Sequence, residues 1–205
     1  MATHVFIVNE QTFKHHLEYM FAGTGNSNVP MFLNNPTHIS EGEKAHIGMI
    51  ADISRVRVGD EIIFYLTGCK EFYGFFRVVS RPFADVNCNY LGGGQIGKDL
   101  YFRVLLEPTT EVYAKGITEW ECFESISGVE HPYQMCWSLI YRKLIGLRGC
   151  AALFDYEAER IKRLIRAKNN NTTLQGTSFS YDNTANVMIV TKSRTHIVAS
   201  VNLWM

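Results

Sequence analysis

The residues with the clearest chemical reach lie late in the chain. Between Arg142 and Lys168 stand Arg142, Lys143, Arg148, Arg160, Lys162, Arg163, Arg166 and Lys168, against the acids Asp155, Glu157 and Glu159. Eight against three is a local surplus of five positive charges in a chain whose net charge is zero. A stripe of that sign attracts a polyanion by long-range steering and counterion release. For the stretch from Arg160 to Lys168 alone, a solvated helix face is the bland alternative. Arg142, Lys143 and Arg148 carry more, because they flank Trp137 and Tyr141 in a turn-rich segment. Overall neutrality argues against tight, non-specific duplex binding.

No comparable set points to catalysis. Asp60, Glu61 and Lys70 superficially resemble pieces of a carboxylate-rich nuclease centre, but a turn accounts for Asp60, and metal-assisted hydrolysis needs clustered carboxylates. The five cysteines (Cys69, Cys88, Cys122, Cys136, Cys150) are odd in number and widely spread, without a C-x-x-C pair or zinc-site spacing, and read as reduced thiols. His15 and His16 are neighbours on a predicted helix and do not share a face, which disfavours chelation. The run Gly92-Gly93-Gly94-Gln95-Ile96-Gly97 lacks the Lys-Ser or Lys-Thr of a phosphate loop and precedes no clear helix. No catalytic residue, metal or cofactor is expected, and the reading turns towards binding.

The elements that must position these residues follow from pattern. His4 to Asn9 is an apolar, β-branched and aromatic run that suits a first buried strand. Thr12 can cap a helix to about Met20, with Phe13, Leu17, Met20 and Phe21 at helical spacing. The stretch from Ala22 to Pro36, dense in Gly and Asn, reads as an irregular loop. Ser40, with Glu43 three residues on, can open a short helix whose Ile47, Ile50 and Ile53 face the core. Val58-Gly59-Asp60 is a turn in which Gly takes a positive φ and Asp bonds nearby amides. Strands are expected at Glu61 to Leu66 and Phe72 to Ser80, the second carrying the Gly-interrupted aromatics Phe72, Tyr73, Phe75 and Phe76, with Pro82 ending the pairing. Further strands are expected at Tyr101 to Glu107 and Leu147 to Leu153. Asp155 can cap a helix to about Lys168, with Ile161, Leu164 and Ile165 on one face and Arg160, Lys162, Arg163 and Arg166 largely on the other. The remainder, with its strand-like NVMIV and THIVASVNLW runs, suits a terminal hairpin or the opening of a further domain.

A chain of 205 residues, 46% hydrophobic and 20% charged, has globular composition and room for one well-buried domain. One domain over residues 1–168 is expected, with 169–205 as a C-terminal extension. No apolar run reaches the roughly 18 residues of a membrane helix, and the first residues lack a secretory leader. The expectation is a soluble intracellular protein, cytoplasmic in a prokaryote, with no membrane partner.

Taken together, Val58-Gly59-Asp60-Glu61-Ile62-Ile63-Phe64-Tyr65 resembles the V-G-D-x-x-x-F-Y strand entry of the PUA-like superfamily, in particular its EVE and YTH-like members. The G-x-x-x-V strand at Gly74 to Val78, Ile7-Val8-Asn9-Glu10 at the place of the family's first strand, and Leu147 to Ile165 at that of its final strand and helix extend the likeness over most of residues 4–168. The chain departs from the common EVE opening, where the first strand carries Trp and Lys; here it reads His4-Val5-Phe6-Ile7-Val8-Asn9.

The resemblance implies an α+β fold, a small mixed β-barrel flanked by helices, and a reader of modified nucleic acid. In such a reader the base enters an aromatic pocket and basic residues outside hold the strand. Stacking on aromatic walls contributes about 1–3 kcal/mol per base. Carried to this chain, the walls would be Tyr65, Trp120 and Trp137, with Asn9 and Thr67 as polar readers. Tyr141, Arg142, Lys143, Arg148, Arg163 and Arg166 would hold the backbone. Trp120 lies between Glu119 and Glu121, a setting that suits phosphate poorly. The partner would be DNA or RNA carrying a modified, methylated base, with the chain serving in a restriction or RNA-processing system. The alternatives are a nuclease or RNA-modifying enzyme on the same barrel, and a protein-interaction module marked by an exposed apolar patch.

Overall fold

In the computed structural model, residues 1–25, 41–85, 100–125, 144, 149–192 and 200–202 are described. The chain is α+β: a mixed sheet curls into a half-barrel and helices flank it, as the sequence leads one to expect. Strands β1 (Thr3–Val8) and β3 (Glu61–Leu66) run parallel at its centre, with Val8 beside Leu66. β4 (Glu71–Val78) pairs antiparallel with β3 and then with β6 (Phe102–Pro108), and β8 (Cys150–Leu153) closes on the other side of β1. β2 (Phe21–Thr24) and β5 (Phe83–Asp85) both pair with β6, and β7 (Ile117–Thr118) pairs with β4. The helices among the described residues are α1 (Glu10–Tyr19), α2 (Glu41–Ile53), α3 (Glu119–Glu124) and α4 (Asp155–Lys168).

Period-2 alternation divides the sheet between two cores. From β3, Ile62, Phe64 and Leu66 enter a core with Phe13 and Leu17 of α1, Ile53 of α2 and Val104 of β6. Ile63 and Tyr65 enter a second core on the opposite face with Ala158, Ile161 and Ile165 of α4. β4 breaks the alternation. Its register against β3 shifts between Ile62 and Ile63, where Ile62 faces Phe76 but Ile63 faces Gly74. The extra residue places Tyr73 and Phe76 in the first core, and Phe72 and Phe75 in the second. The Gly-interrupted aromatic run thus fills both cores from one strand.

The Val-Gly-Asp turn is as expected in kind and does more than turn. Gly59 takes φ 92°, a conformation costly for any residue with a Cβ. Asp60 is buried; its carboxylate accepts from the backbone amides of Ala2 and Arg57, both at 2.9 Å, and meets His4 Nε2 at 3.1 Å. One carboxylate therefore ties the turn to the first strand.

Several local expectations need adjustment. α1 starts at Glu10, capped by Asn9, because the Asn9 side chain accepts from the Thr12 amide at 2.8 Å while the Thr12 hydroxyl answers the Asn9 amide. The segment read as loop from Ala22 begins as β2, since Phe21 and Ala22 are buried against β6. In α2, Ile53 is buried and Ile50 packs on the core, but Ile47 is exposed. α4 begins one residue past Phe154, and the Glu157 carboxylate accepts the Phe154 amide at 2.8 Å. Strand-like NVMIV forms β10 (Val187–Val190), paired antiparallel with β9 (Phe179–Asp182), whereas β11 (Ser200–Asn202) pairs with β5.

Candidate nucleic-acid interface

Of the sequence-derived pocket residues that the structure describes, Asn9, Tyr65 and Thr67 lie near one end of the β1–β3 pair, and Tyr65 is bonded to the helix that carries Trp120. Parallel pairing of β1 and β3 places Asn9 and Thr67 just beyond neighbouring strand ends. Thr67 is exposed, and its hydroxyl donates to the Val8 carbonyl at 3.2 Å. The Asn9 side chain is engaged in the α1 cap. Tyr65 points into the second core; its ring lies 4.9 Å from that of Phe72, and its hydroxyl donates to the buried Glu119 carboxylate at 2.8 Å. Lys70 Nζ approaches the other Glu119 oxygen at 3.4 Å, and the Glu119 amide donates to the Lys70 carbonyl at 2.9 Å. The β3–β4 turn is thereby stitched to the start of α3.

Trp120 follows on α3 and is 63% exposed, its ring 6.1 Å from that of Phe123. The acidic neighbours that disfavoured it in the sequence are both answered. Glu119 is turned inward to Tyr65 and Lys70, and Glu121 caps Thr118 and meets Lys168 Nζ at 2.8 Å. The Glu121 carboxyl is held below its usual range: desolvation alone would raise it, and the Lys168 and Thr118 hydrogen bonds outweigh that. The exposed indole is left beside neutralised carboxylates.

α3 runs antiparallel to α4: Glu121 meets Lys168 at one end, and Ser125 Oγ accepts from Arg160 Nη2 at 2.7 Å at the other. The exposed side of α4 bears a depression of about 330 Å³ lined by Tyr156, Glu159, Arg160, Arg163 and Arg166. Arg166 is bound to Glu111 through Nε at 2.6 Å and Nη2 at 2.5 Å. Arg163 is exposed and has no ion-pair partner among the described residues. Two basic residues expected on the solvated face are buried. Lys162 reaches Glu61 at 2.5 Å and lies 5.3 Å from the centre of the Phe75 ring. Arg160 turns towards α3. Helical periodicity places both at the margin of the apolar stripe, and the neighbouring elements decide which margin is covered.

Trp137, Tyr141, Arg142, Lys143 and Arg148 lie outside the described residues. Tyr156 was not singled out by the sequence, and Arg160 was counted in the basic stripe but not among the residues holding the strand, although the spacing i, i+4 and i+7 through Tyr156, Arg160 and Arg163 was there to be seen. Asp60, Glu61 and Lys70 do not converge: Asp60 and Glu61 stand at the start of β3, Lys70 beyond its end, roughly 17 Å away at the rise of a strand. Among the described residues no group of three or more His, Cys, Asp or Glu is placed to hold a metal ion. No helix among them is long and apolar enough to cross a membrane.

No protein-family profile matches the sequence, and no curated protein does. Solved structures of similar trace include Rpa0253 of Rhodopseudomonas palustris, at 10% identity over 82% of this chain and 94% of that one, TM-score 0.47. An ASCH protein of Zymomonas mobilis is similar at 12% identity over 79% and 94%, TM-score 0.40. Human THYN1, solved with 5-methylcytosine-containing DNA, is similar at 9% identity over 80% and 97%, TM-score 0.42.

Proposed function

We propose that the chain is a nucleic-acid-binding module that reads a modified, methylated base, with α3 and α4 forming the face that meets the strand. The observation that carries the reading is that two neighbouring helices each expose one suitable group: α3 an indole, Trp120, and α4 a guanidinium, Arg163, with no ion-pair partner among the described residues. Every base has a π-face for an indole, and every phosphate a charge for a guanidinium, so this pair suits an unpaired or flipped nucleotide. Specificity for the modification would come from the pocket around Asn9, Thr67, Trp120 and Trp137, and affinity from phosphate contacts. Net neutrality sets the magnitude: a few phosphate contacts give modest, salt-sensitive binding. Such a module serves as the recognition part of a restriction or RNA-processing system.

The test is equilibrium binding to single-stranded and duplex oligonucleotides, as DNA and RNA, with and without methylated cytosine or adenine, over a salt series. A preference for one modification is expected. Trp120→Ala should weaken binding by about 1–3 kcal/mol and Trp137→Ala should abolish the preference, both with the fold intact. Equal affinity for every oligonucleotide would remove the reader. Magnesium-dependent cleavage would establish an enzyme on this barrel, and no binding at low salt would point to a protein-interaction module.

A further inference from the structure

Arg160 is unlike the other cations of α4 that leave water. Lys162 has Glu61 and Glu159, Arg166 has Glu111 and Lys168 has Glu121. Arg160 is only 6% exposed, yet its partners are two neutral hydroxyls. Nη1 donates to Tyr156 Oη at 3.1 Å and Nη2 to Ser125 Oγ at 2.7 Å. Its buried Nε has no hydrogen-bond partner among the described residues. A guanidinium withdrawn from water without an anion is costly, and it cannot shed its proton to escape. It lines the depression of about 330 Å³ with Arg163, so two guanidiniums without a carboxylate partner among the described residues share one cavity. Glu159 also lines it, but Lys162 Nζ holds that carboxylate at 3.3 Å.

We propose that this cavity is an oxyanion site for one internal phosphodiester of a bound strand, with the Arg160 guanidinium supplying the positive charge of its inner wall and Arg163 closing from the exposed side. The occupant rests on the nucleic-acid reading above; the demand for an anion does not. Tyr156 and Ser125 hold the guanidinium plane before the ligand arrives, which spares the ordering cost that a free arginine bears on binding. The cavity is at the small end for ligand sites, with room for a phosphate and its sugar. The Glu159 carboxylate on its wall favours the singly charged diester over a terminal dianion.

The experiment follows the Arg160 Nε–H resonance of the full chain during titration with a single-stranded oligonucleotide and, separately, with dimethyl phosphate. It also compares the affinities of Arg160→Gln and wild type. The resonance should move with both ligands. Arg160→Gln should bind the oligonucleotide roughly tenfold to hundredfold more weakly, the loss of a charge-assisted bond. A 5′-phosphate on the oligonucleotide should change nothing. Without ligand the variant should melt no lower than wild type, since a buried uncompensated charge is gone; clear destabilisation would mark Arg160 as structural and overturn the site. An unmoved resonance and unchanged affinity, in a protein that binds the oligonucleotide, would overturn the site and leave the reader standing. If no oligonucleotide binds at low salt, the reader falls, and the dimethyl phosphate titration alone decides the site.

Discussion

The Tyr65 hydroxyl donates to the Glu119 carboxylate at 2.8 Å, joining the second core strand to the helix that displays Trp120. A buried, charged acceptor is left bearing its desolvation cost when the donor goes. Tyr65→Phe should therefore lower stability by about 1.5–3 kcal/mol and leave oligonucleotide affinity near that of wild type. Denaturant unfolding and a binding isotherm measure the two. Lost affinity with unchanged stability would make Tyr65 a wall of the pocket instead of its support.

Arg163 and Arg166 stand one helical turn apart on α4 and should respond differently. Arg163 is uncompensated among the described residues, whereas Arg166 is held by Glu111. Arg163→Gln should weaken binding to all single strands alike and reduce the slope of log affinity against log salt by about 0.7. Arg166→Gln should change the slope less and stability by no more than about 1 kcal/mol, the range of a partly exposed pair. Equal slopes for the two variants would count against the α4 face as the strand's track.

His16 is fully buried between Phe21, whose ring stacks at 4.7 Å, and Phe64 at 5.3 Å, and neither ring nitrogen has a hydrogen-bond partner among the described residues. Burial, then the nearby Arg103 charge and His15, push its pKa down to about 3 from 6.5. The unfolded chain binds this proton first, so stability is full above about pH 6.5 and falls as the pH drops towards about 3. The slope from this residue is at most about 1.4 kcal/mol per pH unit. His4, also lowered by burial despite Asp60, acts in the same direction. His16→Phe should leave stability at neutral pH within about 1.5 kcal/mol and flatten the acid limb of thermal melts taken from pH 7 to pH 4. An unchanged limb would show that His16 does not titrate in that window.

The β9–β10 hairpin packs as core. Phe179, Tyr181 and Met188 are buried with Phe13, Tyr73 and Phe76, and Ser178 Oγ donates to the Glu18 carbonyl of α1 at 3.1 Å. Phe179→Ala should cost about 3–5 kcal/mol in a single cooperative transition. A separate low-temperature transition, with the remaining melt unchanged, would make the extension an independent unit.

Local pattern was enough for the elements whose own residues bury them. The apolar alternation of Glu61 to Leu66 and the stripe through Ile161 and Ile165 lie where the sequence puts them, because each of those residues meets the core at its own period. The Val-Gly-Asp turn was equally legible, since its positive φ at Gly59 and the bond from the Arg57 amide to the Asp60 carboxylate are local, although Gly59 and Asp60 also bond to Val78 and Ala2. Other features depend on residues distant in the chain. The bulge that sends Phe75 to the α4 face depends on register against β3. The acids around Trp120 are neutralised by Lys70 and Lys168, and Arg160 is drawn inward by Ser125. Composition and period thus settled the central strands, the α4 helix and the sign of the basic stripe, while the family resemblance supplied the α+β class and the barrel. Which cations remain uncompensated, and which aromatic ring faces water, was decided by tertiary structure, because burial and charge pairing are made between elements that no local pattern relates.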